Sequence, residues 1–361
     1  MRNIVIDQKG CQLSYDRQLL LLKHPSFTKP ISVPFGQIQS LTVVTAVDIS
    51  SNLLTKLSEH HIATIIVPSS RVGTPCILHG GWHAGVLRRR MQHEIIRDVN
   101  SCSQLATLLV KLKIHNHYQL LYKILVDCHG YPNLYQQCDV KGIEKALGQL
   151  RLSRRRLKTY FLRHINLTCP QTLITPQYDV ASLRGVEGSA AAIFFGQYQQ
   201  FFDNTLGFNQ RNRRPPKDPV NTLLSLGYTL LQGLCEQAVY TVGFDPHLGI
   251  LHEISYGRQS LACDFAELQR HEIEYWVWQL FAHETITLAD FSIDTNAQRP
   301  CELLKAGRSR FYEAWSLIKP RLQKQVHQHV WLWYRRIEGQ FEFTGADAAM
   351  KASLEFVSET L

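Results

Sequence analysis

The chain has 361 residues, with 39 Lys plus Arg against 30 Asp plus Glu and a formal net charge of +9. A hydrophobic share of 45% with 19% charged residues describes a folded chain long enough for two cores and excludes a disordered one. The positive balance favours polyanionic partners, nucleic acid first. No apolar run approaches the roughly 18 residues of a membrane helix. Met1-Arg2-Asn3 leads straight into the alternation Ile4-Val5-Ile6-Asp7, so neither a membrane span nor a signal peptide is expected. The nine cysteines are scattered, odd in number and free of any Cys-x-x-Cys pair. That pattern argues against a disulfide framework or zinc ribbon and points to a reducing cytoplasm.

In chain order, residues 1–80 read as a small β-rich domain. Short strands are expected over Asn3 to Ile6, Gln18 to Leu22, Leu41 to Val44, Ile62 to Val67 and Pro75 to Leu78, separated by Gly10, Pro25, Pro30, Pro34, Gly36, Pro68 and Gly73. One helix interrupts them, capped by Ser50-Ser51 and carrying Leu53, Leu54, Leu57 and Ile62 at helical spacing. Gly80-Gly81 opens a linker over 81–90, after which the hydrophobic period becomes helical. Helices are predicted over Ser101 to Val126, Gly142 to Leu162, Val186 to Phe202, Asn221 to Tyr240 and Arg308 to about Arg336, with a Trp-rich helix at Tyr275, Trp276 and Trp278. The fold class is therefore α+β in two domains, a small β-rich one followed by a larger all-α catalytic domain over 91–338, with a tail at 339–361.

The most informative stretch runs from His247 to Arg270. His252 ends the apolar step Leu248-Gly249-Ile250-Leu251, and a helix starting at Ser260 or Asp264 carries Asp264 and Glu267 three residues apart, on one face. Buried charge is costly unless it is paired or binds a metal, so these groups are either an ordinary capped helix start with a neutral core His or part of a cation site. Glu187, read at the first turn of a helix lined by Gly188, Ser189, Ala190, Ala191 and Ala192, is the candidate to complete such a site; its bland alternative is a carboxylate favoured by the helix dipole. One imidazole with carboxylates suits Mg²⁺ or Mn²⁺, whereas structural zinc prefers thiolates.

Four basic groupings can meet a phosphate backbone: Arg88 to Arg90; Arg151, Arg154, Arg155, Arg156, Lys158 and Arg163; Arg211, Arg213, Arg214 and Lys217; and Lys319, Arg321, Lys324, Arg335 and Arg336. His115-Asn116-His117 lies inside a helical pattern and lacks the ββ-metal-helix context of the nuclease motif it spells. His283-Glu284 has no second His four residues on, and no GxxxxGK[ST] is present, so zinc proteolysis and nucleotide hydrolysis have no support.

Three ordered segments resemble the CRISPR-associated integrase family, the first Cas protein of spacer acquisition. Gly185-Val186-Glu187-Gly188-Ser189-Ala190 is similar to the family's G-x-E-G-x-A. Asp218-Pro219-Val220-Asn221, after Arg213-Arg214-Pro215-Pro216, is similar to its central loop and helix. Gly249-Ile250-Leu251-His252 through Ser260-Leu261-Ala262-Cys263-Asp264-Phe265-Ala266-Glu267 is similar to its G-x-L-H and S-L-x-x-D-x-x-(D/E) block. Weaker echoes occur at Leu87 to Gln92 and at Lys113-Ile114-His115-Asn116. Gln259 stands where Pro is common, and Cys263 where an apolar residue is usual.

The resemblance implies an endonuclease/integrase that joins the 3′-hydroxyls of short DNA into the leader-proximal repeat by metal-dependent transesterification. It implies Glu187, His252 and Glu267 as metal ligands for Mg²⁺ or Mn²⁺, with Asp264 as a fourth catalytic residue supporting them. Arg211, Arg213, Arg214, Lys217, Asn221 and Arg258 are the expected DNA contacts. It further implies a homodimer formed largely through the N-terminal domain, bridged to a second by a small ferredoxin-like second Cas protein, with prespacer duplex and leader-repeat DNA as substrates. The alternatives are a metal-dependent nuclease of branched or single-stranded DNA and a non-catalytic DNA-binding scaffold.

Overall fold

The computed structural model describes residues 2–60, 62–66, 76–78, 85–166, 180–212, 215–294 and 300–338. The chain divides into two compact units, Met1–Arg88 and Arg89–Leu361.

The first unit holds two four-stranded sheets. In one, β1 (Arg2–Ile6), β5 (Ile38–Val43) and β7 (Ala63–Ile66) run parallel, and β8 (Cys76–Leu78) closes the edge antiparallel to β7. In the other, β2 (Gln12–Asp16), β3 (Leu19–Lys23) and β4 (Ile31–Pro34) form an antiparallel meander, with the short β6 (Asp48–Ile49) parallel to β2. Leu53 and Leu57 of helix α1 (Ser51–Glu59) are buried with Ile6, Leu13, Leu20, Leu41 and Val43 in one core. Ser50 caps that helix, its side chain accepting the Leu53 N–H at 3.3 Å. The hairpin between β2 and β3 is absent from the sequence reading. Its two-residue turn is Arg17-Gln18, both at positive φ (45° and 68°), a conformation usually assigned to Asn-Gly.

The second unit is helical. Helix α2 (Val86–Arg97), whose first turn carries the division between the units, leads to α3 (Val99–Cys128), the short α4 (Pro132–Gln136), α5 (Val140–Asn166), α6 (Val180–Tyr198), α7 (Pro219–Val242), α8 (Ser260–Ala282) and α9 (Lys305–Glu338). Helix α8 continues without a break into the Trp-rich segment that sequence placed on a separate helix. It is buried nearly all round, including the run Ser260, Leu261, Ala262 and the run from Asp264 to Gln269, the pattern of a helix at the centre of a core rather than on its surface. α7 and α3 both pack on α8, α6 packs on α3, and α9 covers α7. Among the described residues the unit also carries a two-stranded antiparallel ribbon, β9 (Phe291–Ile293) with β10 (Cys301–Leu303).

Two local readings change. Helix α6 begins by Val180, not at Val186, because Leu183 is already buried in the core and Gly185 sits on the exposed side, where it interrupts nothing. Of the small residues of α6 expected to admit a neighbouring element, Ala190 is buried in the core, whereas Gly188, Ser189 and Ala192 are exposed. A Cβ at Gly185 or Gly188 would meet no described atom within 4 Å. The eight cysteines among the described residues are free. No helix among those residues is long and apolar enough to cross a membrane.

Close approach of α7 to α8 depends on Gly227, since a Cβ there would lie 2.5 Å from Ile273 Cγ2. Gly227→Ala is expected to cost about 1–3 kcal/mol by overpacking, seen as a lower melting temperature with unchanged far-ultraviolet circular dichroism. An unchanged melting temperature refutes the tight crossing.

Candidate functional site

The two acids of α8 are buried, Asp264 at 1% and Glu267 at 5% exposure, and face different partners. Asp264 turns back to the loop before its own helix. Its Oδ2 accepts the N–H groups of Ile250 (2.6 Å) and Leu251 (3.1 Å); its Oδ1 accepts the N–H of His252 (3.1 Å) and the imidazole Nδ1–H of the same residue (2.6 Å). One carboxylate thus fixes three consecutive amides and the ring. That arrangement leaves Nε2 of His252 as the ring's open electron pair, the orientation a carboxylate partner gives to a metal-binding imidazole.

The same loop is held from α2. Gln92 donates through Nε2 to the carbonyls of Asp245 (2.8 Å) and Leu248 (2.9 Å) and accepts the Asp245 N–H at 2.8 Å. Gly249 is required by its surroundings: a Cβ would press on the His252 carbonyl and lie 2.6 Å from Ser260 Cβ. Downstream, the Arg258 guanidinium and the Ser260 hydroxyl (2.8 Å) both bond the Glu253 carbonyl, and Arg184 of α6 pairs with the Glu253 carboxylate at 3.0 Å.

Glu267 points to α3. Its Oε2 lies 2.6 Å from the Lys113 ammonium, and its Oε1 lies 2.6 Å from Arg270 Nη1. The same ammonium is hydrogen-bonded to Glu187 Oε1. Burial alone would raise the Glu267 pKa, but Lys113 and Arg270, with a smaller contribution from His252, hold it down to about 2. Burial likewise works against the charge on Lys113, and Glu267 and Glu187 outweigh it, keeping the ammonium protonated beyond its ordinary range. Glu187 sits in the second turn of α6 rather than the first, so its partner is this lysine and not the end of a helix dipole.

The structure therefore brings Glu187 and Glu267 to one ammonium and His252 to Asp264. Among the described residues no set of three or more His, Cys, Asp or Glu side chains is arranged to hold a metal ion. The donors nevertheless fit a hard divalent cation. They comprise two carboxylates, an imidazole with Nε2 open, and a buried Glu267 Oε2 that has a counter-charge but no aligned hydrogen-bond donor.

Sequence reasoning missed Lys113, Arg270 and Gln92 as parts of this site. Lys113 stood only as part of an echoed segment, and a lysine on an amphipathic helix ordinarily reads as solvated. The His115-Asn116-His117 group has ordinary structural roles. Arg154 bonds His115, Asn116 Nδ2 donates to the Leu268 carbonyl at 2.9 Å, and His117 stacks on Phe194 at 4.3 Å with its pKa pushed far down, first by burial.

The expected DNA contacts divide. Asn221 is fully buried, and its amide is consumed internally. Oδ1 accepts Arg211 Nη1 (2.6 Å) and the Asn212 N–H (3.0 Å), and Nδ2 donates to the Gln210 carbonyl (2.9 Å) and Asp218 Oδ2 (2.7 Å). Asp218 in turn caps α7, accepting the Asn221 N–H at 2.8 Å with Pro219 in the first turn. The Asp218-Pro219-Val220-Asn221 segment is thus a helix start that braces the loop before it, with the Asn221 amide bonded inside that loop. Arg211 is half-buried, bonded also to Ser225 Oγ (3.3 Å) and lying over the Tyr228 ring, so it too serves the loop first. Arg258 secures the Glu253 turn. Lys217 is exposed. Arg213 and Arg214 lie outside the described residues.

Buried acids gripping an ordered histidine loop, in a helical unit of a basic chain, define a candidate cation-dependent site for a polyanionic substrate. The profile of the CRISPR associated protein Cas1 family matches residues 4–316. The chain belongs to that family. It is 30% identical over 340 residues to the CRISPR-associated endonuclease Cas1 1 of Thermodesulfovibrio yellowstonii, covering 94% of this chain and 96% of that protein. Its fold is shared with a chain of a Cas6-RT-Cas1–Cas2 complex (TM-score 0.71, 22% identity, 94% of this chain and 35% of that one). It is shared also with a casposase bound to integration product (TM-score 0.68, 16% identity, 99% of this chain and 100% of that one).

Two outcomes follow from the geometry. Asp264→Asn removes one acceptor oxygen from four converging donors and is expected to lower stability by about 2–3 kcal/mol in urea unfolding; a loss below about 0.5 kcal/mol contradicts the bracing role. Gln259, the residue in place of a common Pro, donates to Glu236 of α7, whose pKa burial raises from 4.5 to about 7. A raised carboxyl favours the fold below pH 4.5, and that contribution is lost as pH rises through 7. Glu236→Gln is therefore expected to gain about 3 kcal/mol relative to wild type between pH 5 and pH 8. Equal urea midpoint shifts at both pH values would refute it.

Proposed function

We propose that the chain is a divalent-metal-dependent DNA integrase and endonuclease of CRISPR adaptation, joining the 3′-hydroxyl ends of short DNA into the leader-proximal repeat. The observation that carries this reading is the convergence of Glu187 and Glu267 on one cation, with His252, its ring oriented by Asp264, near enough to act on the charge of Glu267. Family membership supports it, as do the neighbouring folds: one holds an integration product, and another belongs to a complex with Cas2.

Glu187, Glu267 and Nε2 of His252 are the residues that would hold Mg²⁺ or Mn²⁺. When bound, such an ion polarises a phosphoryl oxygen and eases deprotonation of the attacking hydroxyl. The chain's own residues do the rest. Asp264 retains the Nδ1 proton and so prevents the imidazole from turning its donor face to the ion. Arg270 offsets the charge of Glu267, and the exposed Lys217 would meet a phosphate. In the reaction a 3′-oxygen attacks the target phosphorus, one phosphodiester bond forms as another breaks, and the proton of the attacking hydroxyl is passed to the departing oxygen. Bond types balance, so neither a nucleotide nor a covalent protein intermediate is needed.

The working assembly in this proposal is a homodimer joined through the N-terminal unit, acting with a small ferredoxin-like second Cas protein on prespacer and leader-repeat DNA in the cytoplasm. With water as nucleophile the same residues would cut DNA rather than join it, which product analysis separates.

Glu187→Gln, His252→Ala and Glu267→Gln are each expected to reduce strand transfer about 10³-fold in a plasmid integration assay with Mn²⁺, while DNA affinity changes little. Any one of them integrating at the wild-type rate removes that residue from the ligand set. Lys217→Ala should instead weaken binding and lower the salt slope by about 0.9.

A further inference from the structure

The side chain that joins the two carboxylates is itself a cation. Lys113 comes from the middle of α3, is 8% exposed in its side chain, and touches one oxygen each of Glu187 and Glu267, which lie on two other helices. Around it the formal charges already sum to zero: Glu187 and Glu267 against Lys113 and Arg270. A divalent ion bound by those same oxygens needs contacts of roughly 2.0–2.2 Å, and an ammonium 2.6 Å from Glu267 Oε2 occupies the space it would enter. Keeping both cations would leave two surplus positive charges around a largely buried ammonium, which is costly.

We propose that Lys113 is a resident counter-ion that divalent metal must displace. Its ammonium holds α3, α6 and α8 together through the two acids while the site lacks a metal, and the incoming ion takes over that role by exchange. This rests on the reading that Glu187 and Glu267 are metal ligands. Lys113 is on this view a positioning residue whose contribution reverses sign: it stabilises the metal-free protein and weakens metal binding. An ordinary structural ion pair would contribute to stability alone.

The test uses the full chain and Mn²⁺ alone. Lys113→Met is expected to melt about 10 °C below wild type without divalent ions, because buried Glu267 and half-buried Glu187 lose their shared partner. Saturating Mn²⁺ should close that gap, and titration calorimetry should show Mn²⁺ bound at least about 10-fold more tightly than by wild type, a factor equal to about 1.4 kcal/mol. If wild type binds Mn²⁺, and Glu187→Gln and Glu267→Gln weaken that binding while Lys113→Met leaves it unchanged or weaker, the exchange is wrong and the ligand assignment stands. If neither wild type nor Lys113→Met binds Mn²⁺, both readings fall.

Should Lys113→Met fold only in the presence of Mn²⁺, the exchange is supported. Should it fold in neither medium, wild type decides through reductive methylation followed by mass spectrometry. Release by Mn²⁺ is expected to raise modification of Lys113 several-fold, and an unchanged rate in protein saturated with Mn²⁺ overturns the proposal.

Discussion

A carboxylate at 1% exposure inside a helical core costs several kcal/mol, on the order of 3–5 when its partners are missing, unless its lone pairs are filled. Asp264 fills its own with the backbone of the very loop that presents His252. That constraint organises the site. It fixes the path of residues 250–252 against the first turns of α8, and it sets which ring nitrogen of His252 is spoken for. Gln92 provides the second anchor by bonding the loop at Asp245 and Leu248. The loop that presents the histidine is therefore held by two polar side chains from two helices and has little freedom to wander.

A second chain of contacts runs from the basic loop before α7 toward the same site. Arg211 lies 5.3 Å and Arg270 4.8 Å from the centroid of the Tyr228 ring, and the Tyr228 hydroxyl donates to Glu274 Oε1 at 2.6 Å. Arg270 then pairs with Glu267. Burial raises the Glu274 pKa to about 7 against the opposing effect of its tyrosine hydrogen bond, so at neutral pH this acid is a partly neutral acceptor while Glu267 one turn pair earlier is firmly ionised. The difference has a simple source. Glu267 meets two cations at contact distance, whereas Glu274 meets a hydroxyl.

Much of this was legible in the sequence, and the rest was hidden for identifiable reasons. The helical half announced itself through its period, and the stretch holding His252 and Asp264, which the structure pairs, stood out by its spacing. The Arg17-Gln18 hairpin could not, because its turn uses residues that ordinarily avoid positive φ. The start of α6 was misplaced because Gly185 looked like a boundary, although on an exposed helix face a glycine costs only about 1 kcal/mol. The internal hydrogen bonds of Asn221 were not legible either, because nothing in its motif shows the amide turned into the preceding loop. Lys113 was the hardest to see. Nothing in α3 distinguishes a lysine that reaches inward between two acids from one that reaches into water, since both occupy a polar position on an amphipathic helix.

The two acids of α8 make the general point about what spacing can convey. Residues three apart on a helix share a face, and that much fixed Asp264 and Glu267 as neighbours. Their chemistry diverges because the face is not uniform. At the N-terminal end it meets a strand of free amides, which a carboxylate satisfies as an acceptor. One turn later it meets α3, where the available partner is an ammonium. An acid surrounded by amide donors is locked in place and has no capacity left for another ligand, while an acid paired with side-chain cations retains oxygens that a stronger cation can claim. By this argument the environment, and not the residue type, separates the acid locked in place by amides from the acid paired with side-chain cations.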